Sequence, residues 1–151
     1  MSLSFEIIIA TPEREVFRAT AQSITIPTTT GQITVLPNHV PLSTVLAPGE
    51  LIIRADNLEQ PYAVSGGFVE VQPRQVVILA DTAEHVTEID EQRAQEAIAR
   101  AQKNKEAMRE DQVEYAATAA KLERDLNRLR VVKKHRHQAH HGIMNEGVRK
   151  D

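Results

Sequence analysis

Four histidines crowd the C-terminal part of this chain: His135, His137, His140 and His141 carry imidazole nitrogens of the kind that bind zinc or nickel. Lys133, Lys134 and Arg136 make the same stretch basic, and nothing nearby fixes ligand geometry or supplies outer partners. The cluster therefore reads as a place for adventitious ions and not as a metal centre. His39 with Ser43 or Asp81 has the residue types of a nucleophile relay, but the spacing does not support one. Pro37 and Pro41 flank His39 and make it a loop or contact residue. Lys121, Arg124 and Arg128 recur on one face of a helical stretch, and guanidinium is a planar fork for carboxylate or phosphate. They form a candidate contact strip for an acidic surface. No phosphate-binding glycine loop, HExxH pair or EF-hand pattern occurs. The chain has no cysteine, which excludes disulfides, thiolate metal sites and a cysteine nucleophile. A net charge of −3 and few aromatics speak against nucleic-acid binding.

The elements that position these residues divide sharply. Every proline lies at or before Pro73, and no glycine falls between Gly67 and Gly142. The first half is punctuated by turn residues, whereas from about Ile89 the chain is rich in Ala, Glu, Gln, Arg, Lys and Leu, which are strong helix formers. Phe5, Ile7 and Ile9 alternate with Ser4, Glu6 and Ile8, a period-two strand stopped at Thr11-Pro12. Further short strands are expected near 15–19, 22–27, 31–36, 42–46, 50–54, 60–65, 68–71 and 76–80, with Gly66-Gly67 as a bulge or tight bend. This spacing belongs to an antiparallel sandwich and not to βαβ units.

Asp90 reads as a helix N-cap, followed by a narrow stripe of Ala94, Ala97, Ile98 and Ala101. A polar turn within 103–111, with Asp111 as a second N-cap, leads to a second helix over 112–134. Its apolar seam is Tyr115, Ala119, Leu122, Leu126 and Leu129, which packs thinly on the alanine stripe. The fold class is thus α+β in two parts, an N-terminal antiparallel β-sandwich and a C-terminal antiparallel αα-hairpin. The expected domains are 1–86 for the sandwich, 87–136 for the hairpin and 137–151 for a disordered His-rich tail. Four basic and ten acidic side chains leave residues 1–88 at −6, while fourteen basic and eleven acidic ones leave 89–151 at +3. The arm suits an acidic surface, whether a partner's or the chain's own. The N-terminal MSLSFEIII lacks a basic n-region, so it reads as neither signal peptide nor membrane span.

Specific motifs then accumulate. The stretch GQITVLPNHVPLSTVLAPG from Gly31 to Gly49 is followed by VSGGFVEV from Val64 and VILADTA from Val77, then by Tyr115-Ala-Ala and the run from Leu126 to Val132. In this order, and over nearly the whole chain to Lys134, they resemble the F-type ATP synthase epsilon subunit of bacterial type. The resemblance implies a non-catalytic central-stalk subunit that couples c-ring rotation through the gamma subunit to the catalytic headpiece. One sandwich face would be apolar for gamma. The loop from Thr30 to His39 would face the c-ring with Gln32, Asn38 and His39. The hairpin would rest on the sandwich or extend into the alpha/beta headpiece and block ATP hydrolysis, with Lys121, Arg124 and Arg128 as contacts. Ile89-Asp90-Glu91-Gln92-Arg93-Ala94 matches the I/L-D-x-x-R-A pattern through which some relatives bind ATP. The implied site is Ile89, Asp90, Arg93 and Ala94, closed by Arg124 and Arg128. No cofactor is required, ATP being a regulatory ligand. The implied place is the cytoplasmic face of the bacterial inner membrane, reached only through the complex, with the isolated chain monomeric. Family chains generally stop near Val131–Lys134, whereas 17 residues follow Lys134 here. The alternative is a free-standing β-sandwich adaptor whose leucine seam is a coiled-coil dimerisation arm.

Overall fold

The computed structural model describes residues 3–107 and 112–145. The chain divides into two compact units, Met1–Glu88 and Ile89–Asp151.

Alternation carries the first unit. Strand β1 (Phe5–Ala10) buries every second residue, Phe5, Ile7 and Ile9, because successive side chains of a strand point to opposite faces. It is followed by β2 (Glu15–Ala21), β3 (Ser23–Thr28), β4 (Gly31–Val35), β5 (Leu42–Val45), β6 (Gly49–Ala55), β7 (Leu58–Gln72) and β8 (Gln75–His85). The pairing order is β2-β1-β8-β7-β6-β3-β4, with β5 added to β7. Pairing is antiparallel except for β1 with β8, which run parallel. That parallel pair departs from the fully antiparallel sandwich expected from sequence.

The two segments expected at 60–65 and 68–71 are one 15-residue strand, β7. Its first half pairs with β6, from Leu58 opposite Ala55 to Val64 opposite Gly49. Its second half pairs with β5, from Phe68 opposite Val45 to Val71 opposite Leu42. The strand changes layers at Gly66 (φ 46°) and Gly67 (φ 123°), conformations that side-chain-bearing residues rarely adopt. A Cβ on Gly67 would collide with the Leu79 carbonyl of β8. Gly67→Ala is therefore expected to lower the melting temperature by roughly 10–20 °C, the effect of a strain of ~2–3 kcal/mol on a domain of this size. Thermal unfolding followed by circular dichroism checks this, and an unchanged midpoint would refute it.

Aliphatic side chains fill the space between the layers: Ile7, Ile9, Ile24, Ile26, Val35, Leu46, Leu51, Ile53, Val64, Val69, Val71 and Ile78 are fully buried. Each such burial is worth ~1.5–3 kcal/mol before chain entropy is set against it. The β6–β7 turn is made by Asp56 (φ 49°) and Asn57 (φ 62°), consecutive left-handed residues that match the twist of a tight hairpin. On the edge strand β2, Arg18 holds Glu15 at 2.7 Å and Glu6 at 3.0 Å. Hydrogen bonding to Arg18 holds the Glu15 carboxyl below its usual range.

In the second unit Asp90 caps α1 (Glu91–Ala107): its Oδ1 accepts the Arg93 N–H at 3.1 Å, and its carbonyl accepts the Ala94 N–H at 3.0 Å. Helix α2 runs from Gln112 to Asn145. This corrects the expected end at Lys134, and the first residues of the expected disordered tail are helical. The stretch is polar, but it holds no proline, and its Arg, Gln, Ala and Met residues are good helix formers. The expected N-cap Asp111 lies outside the described residues. Ile98, Ala101 and Leu122 form a small buried cluster with Leu129 packed against it. Arg136 Nη1 binds Glu91 Oε2 at 2.8 Å and so ties late α2 to the start of α1, an antiparallel hairpin. Lys105 lies over the Tyr115 ring, 5.2 Å from its centroid.

The seam differs from the expected one. Leu126 is 38% exposed and Tyr115 40%, whereas Asp125 and Asn127 are buried. An alanine-faced α1 covers only a narrow stripe of its neighbour, so helical spacing alone did not settle which residues it would cover. Among the described residues, no helix is long and apolar enough to cross a membrane.

Candidate functional site

The outer face of β5, β7 and β8 carries the most distinctive surface. Val45 pairs with Phe68 across β5–β7, and Phe68 pairs with Leu79 across β7–β8. All three side chains point to solvent, with exposures of 43%, 66% and 55%. The row continues onto β1, where Ala10 opposes Leu79 and Ile8 opposes Val77. A groove runs along it, bordered by Ser43, Thr44 and Glu70. Contiguous exposed apolar side chains with a polar rim mark a docking surface. Isolated exposed leucines do not, and this row spans neighbouring strands.

The loop after β4 forms a second apolar exposure. Leu36 is 57% and Val40 71% exposed, and neither was singled out from sequence. Between them Asn38 takes a left-handed φ of 62°, and its N–H donates to the Pro73 carbonyl at 2.8 Å. His39 places Nδ1 2.7 Å from the Val40 carbonyl, and its N–H donates to the Leu36 carbonyl at 3.2 Å. The structure brings Asn38 and His39 together but not Gln32. That residue is the second of β4, opposite Pro27 and ~13 Å from Leu36 along the strand at 3.3 Å per residue. Nor does a relay form around His39. Its ring is engaged by Val40, and Ser43 opposes Glu70, which opposes Val77, four residues before Asp81.

On the hairpin, Arg93 is held near Asp90, Nε to Oδ2 3.5 Å, with its side chain 86% exposed. Ile89 and Ala94 are buried. Arg128 Nη1 meets Asp125 Oδ1 at 3.2 Å. Lys121 and Arg124 are exposed. The Arg136–Glu91 pair sets Arg93 level with residues near 134, so Arg128 and Arg124 lie ~9 and ~15 Å further along α2. Asp90 and Arg93 are thus adjacent, while the two α2 arginines stand away from them. Of the histidines, His135 is half-buried and His137 exposed, and the side chains of His140 and His141 lie outside the described residues. Among the described residues no group of three or more His, Cys, Asp or Glu could hold a metal ion.

The described residues thus form a β-sandwich with an exposed apolar row, followed by a helical hairpin. Residues 4–86 match the family described as ATP synthase, Delta/Epsilon chain, beta-sandwich domain, and residues 87–133 match its long alpha-helix domain. The chain belongs to this family, as an epsilon chain of the bacterial F-type. It is 44% identical over 136 residues to the ATP synthase epsilon chain of Chloroflexus aggregans, covering 90% of this chain and 96% of that one. It is 41% identical over 138 residues to the epsilon chain of Herpetosiphon aurantiacus, covering 90% and 99%. These relatives are epsilon chains and not the catalytic subunits of the synthase. A chain in the cryo-EM structure of the Euglena gracilis mitochondrial ATP synthase, OSCP/F1/c-ring in rotational state 1, shares the fold at a TM-score of 0.67 and 24% identity, covering 80% of this chain and 76% of that one.

Proposed function

We propose that the chain is a rotor subunit of a proton-translocating ATP synthase, docked on gamma through the Val45–Phe68–Leu79 row and regulating ATP hydrolysis with its hairpin. The exposed row is the observation that carries this reading. A chain of this family with three apolar side chains in register across neighbouring strands presents a face that a partner covers. Leu36, Val40, Asn38 and His39 cluster on the loop after β4, which suits the c-ring contact. Gln32 belongs to the other end of β4 and would meet a different part of the assembly. Membrane association then comes through the complex, on the cytoplasmic face of the bacterial inner membrane.

The hairpin suits a conformational inhibitor. Its buried apolar side chains among the described residues are Ile89, Ala94, Ile98, Ala101, Leu122 and Val131, aliphatic and mostly small, so the burial lost on opening is modest. Leu126 is already uncovered, and Lys121 and Arg124 are free of ion pairs among the described residues. An acidic surface on the alpha/beta headpiece would gather them. Because Leu122 and Leu129 are used within the chain, the isolated protein is a monomer and not a coiled-coil dimer.

ATP sensing rests on the first turn of α1. Arg93 is poised beside the cap and reaches solvent, so it can meet a phosphate, and only preferential binding to one hairpin arrangement would shift the equilibrium. Calorimetric titration with ATP is expected to give binding at about millimolar or tighter, worth ~4 kcal/mol or more, that disappears in Arg93→Ala. Absence of heat up to several times that concentration, ~5 mM, would reduce Ile89–Ala94 to a helix start.

A further inference from the structure

The strands that carry the exposed row and continue it to the sheet edge are poor in cations. Together β1, β2, β5, β7 and β8 contain one lysine or arginine, Arg18. Its guanidinium is already held on the edge strand by Glu6 at 3.0 Å and Glu15 at 2.7 Å. Glu70 and Asp81, by contrast, share the outward face with Phe68 and Leu79, because side chains two apart on a strand point the same way. Glu70 follows Phe68 on β7, and Asp81 follows Leu79 on β8, each about 6.6 Å further on. The two strands are antiparallel, so these steps run in opposite directions and the row is bracketed by a carboxylate at either side.

The two carboxylates differ. Glu70 Oε1 accepts a hydrogen bond from Gln72 Nε2 at 2.7 Å. Asp81 has no hydrogen-bond or ion-pair partner among the described residues. It stands opposite Gly66, between the Ser65–Thr82 and Gly67–Ala80 pairs, and a Cβ on Gly66 would collide with its Oδ2. The carboxylate therefore lies over a bare stretch of backbone, with no neighbouring side chain from residue 66 to screen it. The Ser65 and Thr82 hydroxyls hydrogen-bond at the adjoining step and hold the strands in that register.

We propose that Asp81 is the charged anchor of the row, the point at which the partner covering Val45, Phe68 and Leu79 sets an arginine or lysine, entering over Gly66. Resting on the reading that gamma covers this row, the anchor adds the chemistry of the partner's surface: an apolar ridge with a cation beside it. Apolar contact is non-directional and does not by itself fix where along the row a partner stops. A charge pair at one end of the row does fix it. A carboxylate at the margin of a covered apolar contact loses water on docking, and unless a cation replaces that water the loss opposes association. Guanidinium fits the place well, because its fork reaches both oxygens of one carboxylate. The same face of a second copy does not fit, since it would bring Glu70 and Asp81 against like charges and offer only the engaged Arg18.

The test is the affinity of the full chain for isolated gamma at about 50 mM and about 300 mM salt, measured for the unchanged chain, Asp81→Asn, Glu70→Gln and Phe68→Glu. Asp81→Asn keeps the shape and removes the charge. It is expected to weaken binding by about tenfold or more at low salt and to flatten the salt dependence. Glu70→Gln is expected to change affinity by less than about threefold. Melting temperatures confirm that each variant is folded. Binding that is lost in Phe68→Glu but unchanged at both salt concentrations in Asp81→Asn overturns the anchor and leaves the docking row standing. A loss in Glu70→Gln as large as that in Asp81→Asn also overturns it, because the effect is then one of overall charge. Affinity unchanged in both Phe68→Glu and Asp81→Asn overturns the anchor and the docking row together.

Discussion

A chain cut after Thr87 is expected to raise ATP hydrolysis by the assembled synthase roughly tenfold while leaving assembly intact. An arm that favours its blocking arrangement by a factor of about ten, ~1.4 kcal/mol, holds back about nine-tenths of the enzyme, and its removal releases that fraction. The cut spares the sandwich because every residue of the main core, from Phe5 to Ala83, lies before it. What is lost is a hairpin whose contacts include the cluster of Ile98, Ala101 and Leu122 with Leu129, the buried Ile89, Ala94 and Val131, and the Arg136–Glu91 clasp. Exposed ion pairs of that kind contribute only ~0–1 kcal/mol, so the closed hairpin is shallowly secured and open to competition from a headpiece surface. Hydrolysis rates of complexes rebuilt with full-length and shortened chains decide the matter. Equal rates would remove the inhibitory role.

Phe68→Glu is expected to weaken docking on the gamma subunit by about a hundredfold or more. The substitution deletes the central side chain of the Val45–Phe68–Leu79 row and asks a carboxylate to enter a covered apolar contact, a combined cost of at least ~3 kcal/mol. Because Phe68 is 66% exposed, the fold itself should change by no more than ~0.5 kcal/mol, so circular dichroism and the melting temperature serve as controls. Affinity for isolated gamma gives the readout. A folded variant that binds gamma as tightly as the unchanged chain would place the interface elsewhere.

The legible part of this protein is the part written in local pattern. Alternation marks β1 residue by residue, turn residues bracket the other strands, and Asp90 announces α1, whose cap the structure displays. The docking row was expected only as an apolar face without named residues, and the reason lies at Gly66-Gly67. Val64 faces the core before the bend at Gly66-Gly67, and Val69 and Val71 face it afterwards, an odd step that leaves Phe68 outward although the register with β8 is unbroken. Alternation counted straight through β7 assigns the wrong phase unless the glycine bend is placed first. The parallel β1–β8 pairing joins Ile7 to Val76 and has no local signature at all.

The hairpin's apolar seam departs from the expected one for a related reason, although the hairpin itself is as expected. Helical periodicity puts Leu122, Leu126 and Leu129 on one broad face, but a neighbour lined by Ala94, Ile98 and Ala101 selects a narrower stripe within it. Asp125 is buried beside Arg128, and no sequence rule favours a carboxylate there over Leu126. The sequence also named residues without bringing them together. Arg93, Arg124 and Arg128 share a chemistry, yet helix register separates them, and Gln32 stands a strand's length from the His39 loop.

The most direct test of the central claim is hydrogen exchange of the full chain with and without the gamma subunit. The account predicts that binding slows exchange at β5, the second half of β7 and the middle of β8, around Val45, Phe68 and Leu79, while the edge strand β2 near Arg18 is unaffected. Complex formation that leaves those three segments unchanged, or no complex at all, would contradict it.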